Sequence, residues 1–334
     1  NLVIKNLPVS NAFVKKKNAK IVKIDKLTLF DCPNCLLLQI KEKIPLALIK
    51  PKKNVHIFRE PESHLDDFLK IYKKKYNTKI NTVVGVTYKD KTLVDRFKKI
   101  SKISYIIEPR KDLNIDDKGV NTETIITKIT RENILRLKNK IGKVDLIIAR
   151  HFIEHSHNAK KTLEILKGLL SESGKIILEV PESSVQLTNY DYTMLWEEHC
   201  LYFHTSSFKE FLNRNNFNMH IFKKYNYPVE NVQICLISKK LISNYKIKKT
   251  DKKKYKTLTN NYYKKFNEVK LLLNNFFKKQ SKHKKIYIYG GGHYSVMFVH
   301  IFQLSKYIKN IIDDNDNKKN MLLPGTDLKI VNSN

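Results

Sequence analysis

The sequence predicts an α/β fold built on a parallel sheet, and three observations predict it. From residue 80 onward, short apolar runs of strand length alternate with stretches of helical spacing. Two of the runs, Val144 to Ala149 and Lys175 to Val180, are largely apolar, as strands buried between two helix layers must be. A third run, Lys285 to Tyr289, leads through Gly290-Gly291-Gly292 into another helical stretch, which repeats the strand–turn–helix arrangement on a smaller scale.

Taken in order, residues 1–60 read as short strands and turns around Cys32-Pro33-Asn34-Cys35. Thr82 to Val86 is a first core strand, Leu93 to Ile100 a helix, and Ile103 to Ile107 a second strand that ends at Glu108-Pro109. Thr124 to Ile129 reads as a third strand. Asn158 to Leu170 has Leu163, Leu166 and Leu170 on one helical face, with Ser173-Gly174 as its stop. Residues 206–215 form a helix, and Phe217 to Phe222 with Asn231 to Ser238 make an antiparallel close to the sheet. Residues 239–284 are Lys-rich, with Leu258, Tyr262, Phe266, Val269, Leu272 and Phe276 at mostly helical spacing, and read as one long amphipathic helix. His293 to Leu304 is a helix and Ile308 to Ile312 a strand ending at Asp313-Asp314. The expected parts are residues 1–60, 61–240, 241–284 and 285–334.

The net charge of +32 first suggests nucleic acid or a membrane surface. Only seven of the 64 basic residues are Arg, however, and specific nucleic-acid surfaces favour the Arg fork. The chain is therefore expected to bind no nucleic acid. No apolar run approaches the ~20 residues of a membrane span. Four cysteines in 334 residues make no disulfide scaffold, and a reducing cytoplasm is the expected compartment. The chain begins at Asn1 rather than Met and reads as a piece of a longer protein.

Several motifs carry chemistry. Glu179-Val180-Pro181 ends a strand at the sheet edge where α/β folds bind ligands. Beyond it comes Trp196-Glu197-Glu198-His199-Cys200-Leu201-Tyr202-Phe203, in which an acid and a histidine stand side by side among aromatics. Such a pair carries protons at neutral pH, or else is a buried structural pair. Gly85 ends the first core strand and leads into Val86-Thr87, and Glu108 ends the second, where an acid in such folds accepts a ribose diol; the bland alternatives are an ordinary turn and a surface acid. Arg150-His151-Phe152-Ile153-Glu154-His155 follows the most buried strand. His151 and His155 are spaced as two metal ligands, but a pocket-lining or packing role is the simpler reading. Cys32-x-x-Cys35 places two thiols within reach of one tetrahedral zinc and supplies only half of a structural site. Gly290, Gly291 and Gly292 permit close approach of a phosphate before His293.

In that order of landmarks the chain resembles the sugar C-methyltransferases that act on nucleotide-linked deoxysugars. Their Y-H-E-H-x-x-Y-F loop matches here at Glu198-His199 and Tyr202-Phe203. Their N-terminal zinc module carries a Cys pair before a segment like Leu36-Leu37-Leu38-Gln39, and their C-terminal domain carries a Gly loop and a segment that runs from a Lys to P-G-T, seen here at Lys319 to Thr326. The resemblance implies a class I methyltransferase core, a zinc module and a C-terminal α/β domain. It implies S-adenosylmethionine (SAM) at Gly85, Val86, Thr87, Glu108, Arg150, His151 and His155, and structural zinc at Cys32 and Cys35. It also implies a nucleotide sugar held by His64, Tyr202, Gly290, Gly291, Gly292, His293 and Asp313. His199 would be the base that forms an enolate able to attack the methyl sulfonium, with Glu198 orienting it or polarising the substrate. Two departures stand out. The loop after Gly85 lacks the family's further glycines, and Ile57 to His64 lacks its tyrosine, leaving His64 as the substitute. They motivate an alternative, a homologue that has lost methyl transfer and still binds or modifies a sugar nucleotide.

Overall fold

The computed structural model describes residues 1–15, 23–50, 62–76, 79–116, 120–228, 230–239 and 247–333. The first part holds β1 (Leu2–Pro8), β2 (Lys23–Asp31), β3 (Leu38–Ile40) and the single turn α1 (Leu46–Ile49). Then come α2 (Ser63–Lys75), β4 (Ile80–Gly85), α3 (Lys91–Phe97), β5 (Ser101–Ile106), α4 (Pro109–Leu113), α5 (Thr122–Lys128), α6 (Arg131–Ile141) and β6 (Val144–Arg150). After α7 (Ala159–Lys167) and β7 (Leu170–Glu182), the chain forms α8 (Ser184–Thr188), β8 (Leu201–Tyr202), α9 (Thr205–Arg214), β9 (Phe217–Tyr225) and β10 (Asn231–Lys239). The last part is α10 (Lys249–Ser281), β11 (Ile286–Tyr289), α11 (His293–Ile301), β12 (Ile308–Ile312) and β13 (Ile330–Val331).

The central sheet runs β5-β4-β6-β7-β10-β9. Pairings from β5 to β7 are parallel, and β10 is antiparallel to both β7 and β9. Strand alternation sends neighbouring side chains to opposite layers. Val83, Leu146, Ile148 and Ile177 pack with Phe68, Leu93 and Phe97 of α2 and α3. Val84, Ile147, Ala149 and Ile176 pack with Ile125, Leu137, Leu163 and Phe208 of the helices on the other face. The chain leaves β4 toward β5 and returns to the other side of β4 as β6, so the order reverses between β4 and β6, which is where open α/β sheets bind ligands.

Gly85 stands at that reversal. A Cβ there would lie 2.6 Å from Ile106 Cδ1 and 2.8 Å from Asp90 Cβ, so the glycine is required by the chain's own packing. Gly85→Ala is expected to cost about 1–3 kcal/mol through overpacking, seen as a lower urea midpoint with unchanged slope.

Three element expectations need correction. Thr124 to Ile129 is not a strand; α5 occupies the segment. Ser173-Gly174 does not stop a helix, because α7 ends at Lys167 and both residues lie inside β7. On α10 the buried seam runs through Tyr262 and Phe277, with Leu258, Phe266, Val269 and Leu273 packed beside it. Leu272 and Phe276 point outward, 61% and 57% exposed. Ile57 to Pro61 lies outside the described residues.

The remaining two sheets, β1-β2-β3-β8 and β11-β12-β13, share one apolar core. Leu7, Leu29 and Leu38 meet Val296, Met297 and Ile311 there, and Tyr192, Trp196 and Tyr202 of the loop after β7 are packed between them. Because β8 pairs with β3, the loop is stitched into the N-terminal sheet at Leu38↔Tyr202. No helix among the described residues is long and apolar enough to cross a membrane.

Candidate active site

The loop that carries Glu197, Glu198 and His199 is positioned by all three parts of the chain. Glu197 Oε1 accepts from Ser10 N at 2.6 Å and Ser10 Oγ at 2.8 Å, just after β1. Asn11 Nδ2 donates to Glu198 Oε1 at 3.0 Å and to Ile49 O at 2.7 Å. Cys200 N donates to Glu154 O at 2.8 Å, which ties the loop to the turn after β6. From the C-terminal part, the His293 ring stacks on Trp196 with centroids 4.0 Å apart. The His199 ring lies 4.6 Å from that of His155 and 4.8 Å from that of Trp196.

This packing sets protonation. Burial, and then the proximity of His155, His293 and Lys89, holds His199 well below the usual 6.5, so its imidazole is neutral and keeps a lone pair. Burial, with the charges of Glu123 and Glu197, pushes Glu198 well above the usual 4.5. Burial raises Glu197 to about 7 against its hydrogen bonds from Ser10. Burial thus moves the base and the acid of the loop in opposite directions, the divergence that marks acid and base partners.

A second cluster lies beneath, centred on Glu179. Arg150 Nε and Nη2 donate to its two oxygens at 3.1 and 3.2 Å. His64 Nε2 stands 3.0 Å from Glu179 Oε2, and His151 Nε2 stands 3.0 Å from Oε1. The other ring nitrogen of His64 bonds Tyr227 Oη at 2.8 Å. Burial alone would raise Glu179, but the Arg150 charge and hydrogen bonds from His151 and His64 hold it well below the usual 4.5. His64 and His151 therefore belong to an ionic network, while His155 joins the loop of Glu198 and His199.

The other expected residues divide similarly. Val86 and Thr87 are buried; Thr87 N donates to Asp90 Oδ2 at 2.7 Å, and Asp90 Oδ1 accepts from Arg150 N at 2.7 Å. Glu108 is exposed at the tip of β5, paired with Lys111 at 3.0 Å, beside Gly85 through the Ile107 N to Gly85 O bond. Tyr202 Oη accepts from Trp196 N at 3.3 Å and so braces the loop. Gly290 and Gly292 have open space where a Cβ would stand, whereas Gly291 N donates to Asp313 Oδ2 at 2.8 Å. Asp313 also pairs with the buried Lys318 at 3.0 Å.

Cys32 and Cys35 close a tight turn in which Leu36 N donates to Cys32 O. Burial raises the Cys32 thiol, but backbone N–H groups of Cys35 and Asn34 outweigh it and leave the thiol lowered. A structural zinc takes four donors. Among the described residues no third His, Cys, Asp or Glu donor joins this pair, so the residues present do not make a zinc site.

A cleft of about 840 Å³ opens beside the loop, walled by α1, α5 and the start of α7, with Glu123, His155, Glu197, Glu198 and Cys200 in its lining and Lys43, Arg131 and Lys161 also on its walls. No motif of the sequence marks Glu123 or Asn11 as a site residue. Nothing local distinguishes Glu123 from a surface acid until α5 packs against the Ile153–His155 turn.

Residues 73–220 match the family described as a methyltransferase domain, and residues 239–334 match the C-methyltransferase C-terminal domain. The chain thus carries a methyltransferase domain followed by a C-methyltransferase C-terminal domain. A comparison with curated proteins found no match. Solved structures similar to part of the chain include the Burkholderia thailandensis 1,6-didemethyltoxoflavin-N1-methyltransferase with bound 1,6-didemethyltoxoflavin and S-adenosylhomocysteine, at 11% identity over 54% of this chain and 79% of that one, TM-score 0.36. They also include magnesium protoporphyrin IX methyltransferase from Synechocystis PCC 6803 with bound S-adenosylhomocysteine, at 10% identity over 53% and 82%, TM-score 0.34. The fold assignment rests on the strand order and the two family matches.

Proposed function

We propose that the chain is a SAM-dependent C-methyltransferase of a nucleotide-activated keto-deoxysugar. The observation that carries this reading is the loop of Glu198 and His199, which Asn11, the Glu154 carbonyl and the His293–Trp196 stack hold where the N-terminal sheet, the central sheet and the C-terminal unit meet. His199 removes a proton from the carbon beside the sugar ketone, and Glu198 hydrogen-bonds the ketone oxygen as negative charge develops on it. His293 and Trp196 wall the sugar's side of the loop, and the open backbone at Gly290 and Gly292 receives the nucleotide end. Glu108, exposed at the tip of β5 beside Gly85, fits the ribose of the donor nucleoside. When bound, SAM supplies the electrophilic methyl. Zinc at Cys32 and Cys35 would need further ligands from outside the described residues.

The alternative, a homologue without methyl transfer, is favoured by one observation. At the head of β4 the chain's own groups occupy the space where a glycine loop would admit the methionine end of SAM. Incubation with methyl-labelled SAM and a panel of nucleotide keto-deoxysugars decides between them. Label on the carbon beside the ketone is expected. A folded protein that binds the sugar nucleotide but neither SAM nor S-adenosylhomocysteine would establish the alternative.

A further inference from the structure

Two sets of metal-ligating side chains share His155. In the outer set, one donor atom each from Glu123, His155 and Glu198 lies within 4.8 Å of the other two; in the inner set the same is true of Glu154, His155 and His199. The outer three all line the cleft. Glu123 Oε1 bonds His155 Nδ1, while Glu123 Oε2 and His155 Nε2 have no hydrogen-bond partner among the described residues. These atoms are deeply buried, with Glu123 6% and His155 5% exposed. Buried polar atoms left unpaired are costly, and carboxylate and imidazole donors held this close together can share a proton or a cation.

We propose that Glu123, His155 and Glu198 form a divalent metal site on the wall of the cleft. Two carboxylates and one imidazole, with no thiolate, suit Zn²⁺, Mn²⁺ or Fe²⁺ better than Cu⁺, and the imidazole disfavours Ca²⁺. Outer hydrogen bonds of the kind that orient metal ligands are in place, because Asn11 holds Glu198 and is itself anchored on Ile49 O. Three protein donors leave coordination positions directed at the cleft, as in sites that take an oxygen of a bound ligand. A cation held here by the Glu198 carboxylate would take over the polarising role. The outer set omits His199, so the imidazole stays available for proton transfer. The site stands whether or not the sugar reading does.

Cobalt(II) titration of the full chain, followed by visible absorption and metal analysis, tests this in the wild type and in Cys32→Ser/Cys35→Ser. The expected result is a single equivalent in both, with ligand-field bands and no sulfur-to-cobalt charge transfer from the site. Glu123→Gln and Glu198→Gln, isosteric changes checked by circular dichroism, should abolish uptake. Asn11→Ala should weaken it roughly 10- to 100-fold, and His199→Asn should leave it intact. Uptake confined to the cysteine pair, or no uptake, overturns the proposal. So does uptake that survives Glu123→Gln but is lost in both Glu154→Gln and His199→Asn. That pattern would assign the inner set and remove His199 from proton transfer, whereas absent methyl transfer would leave the metal result untouched.

Discussion

Arg150→Met is expected to destabilise the protein by about 3–5 kcal/mol, the cost of breaking a buried ion pair from one side. Arg150 is 2% exposed and satisfies five acceptors at once. Beyond the two Glu179 oxygens, its Nη1 reaches Glu62 Oε1 at 3.1 Å, Lys89 O at 3.0 Å and Thr92 Oγ1 at 3.1 Å. The guanidinium thus joins β6, β7, α3 and the start of α2. Without it, Glu179 keeps a fully buried charge with only His64 and His151 to balance it. Arg150→Lys keeps the charge but lacks the planar fork, so it should fall between the two. Arg150→Met combined with Glu179→Leu should cost less than the sum, because no uncompensated charge remains. The pH dependence has a definite sign. Glu179 titrates well below 4.5 in the folded state, so its contribution is complete above the unfolded value and is lost as pH falls below it. In Arg150→Met that acid-side loss should flatten. Urea unfolding at neutral and acid pH measures both effects, and a loss below about 1 kcal/mol at neutral pH would show that the network is worth no more than a surface pair.

Much of the core was legible because it follows periodicity. The strands at Thr82, Ile103, Val144, Phe217 and Asn231, and the helices at Leu93, Asn158 and residues 206–215, appear where apolar spacing places them, whereas α2 and α6 have no counterpart in the sequence reading. The failures have physical causes. Thr124 to Ile129 is rich in β-branched residues and reads as strand, but Asn121 Oδ1 accepts from Thr124 N at 3.0 Å and caps a helix whose Ile125 is buried under the sheet. Tertiary packing overrode propensity there. Gly174 reads as a helix stop, yet Gly168 follows α7 first, and Gly174 serves a close approach inside β7, where a Cβ would lie 2.8 Å from Val144 O. Leu271-Leu272-Leu273 made the phase of α10 ambiguous, since three consecutive leucines fit three different seams. The Glu198-His199 pair was legible as a motif. Its partners were not, because Ser10 and Asn11, Glu123, and His293 come from three distant segments that only the folded chain brings together. The same distance explains His64, which the sequence allied with the substrate and the fold commits to Glu179.

His199→Asn should lower the rate of deuterium uptake at the carbon beside the ketone by roughly 10²- to 10⁴-fold, the usual contribution of a positioned base. Exchange in heavy water, measured without methyl donor on the nucleotide keto-sugar that accepts label, isolates proton removal from methyl transfer. The argument rests on protonation state and on position. Burial and neighbouring cationic groups keep the imidazole neutral, and Trp196, His155 and Tyr202 hold the ring on three sides. Asparagine keeps most of the volume and a polar tip, so the packing between Trp196 and Tyr202 should survive while the basic nitrogen is lost. Tyr202→Phe removes only the hydroxyl that braces Trp196 N, and should change exchange less than about tenfold, chiefly through binding of the sugar. Added imidazole separates chemistry from architecture. In His199→Gly a soluble imidazole can occupy the vacated space and restore part of the exchange, which it could not do if the residue served only to pack the loop. Exchange in His199→Asn at the wild-type rate, or a His199→Gly variant that is folded, inactive and indifferent to imidazole, would move the base to a residue that lines the cleft, with His155 the first to replace.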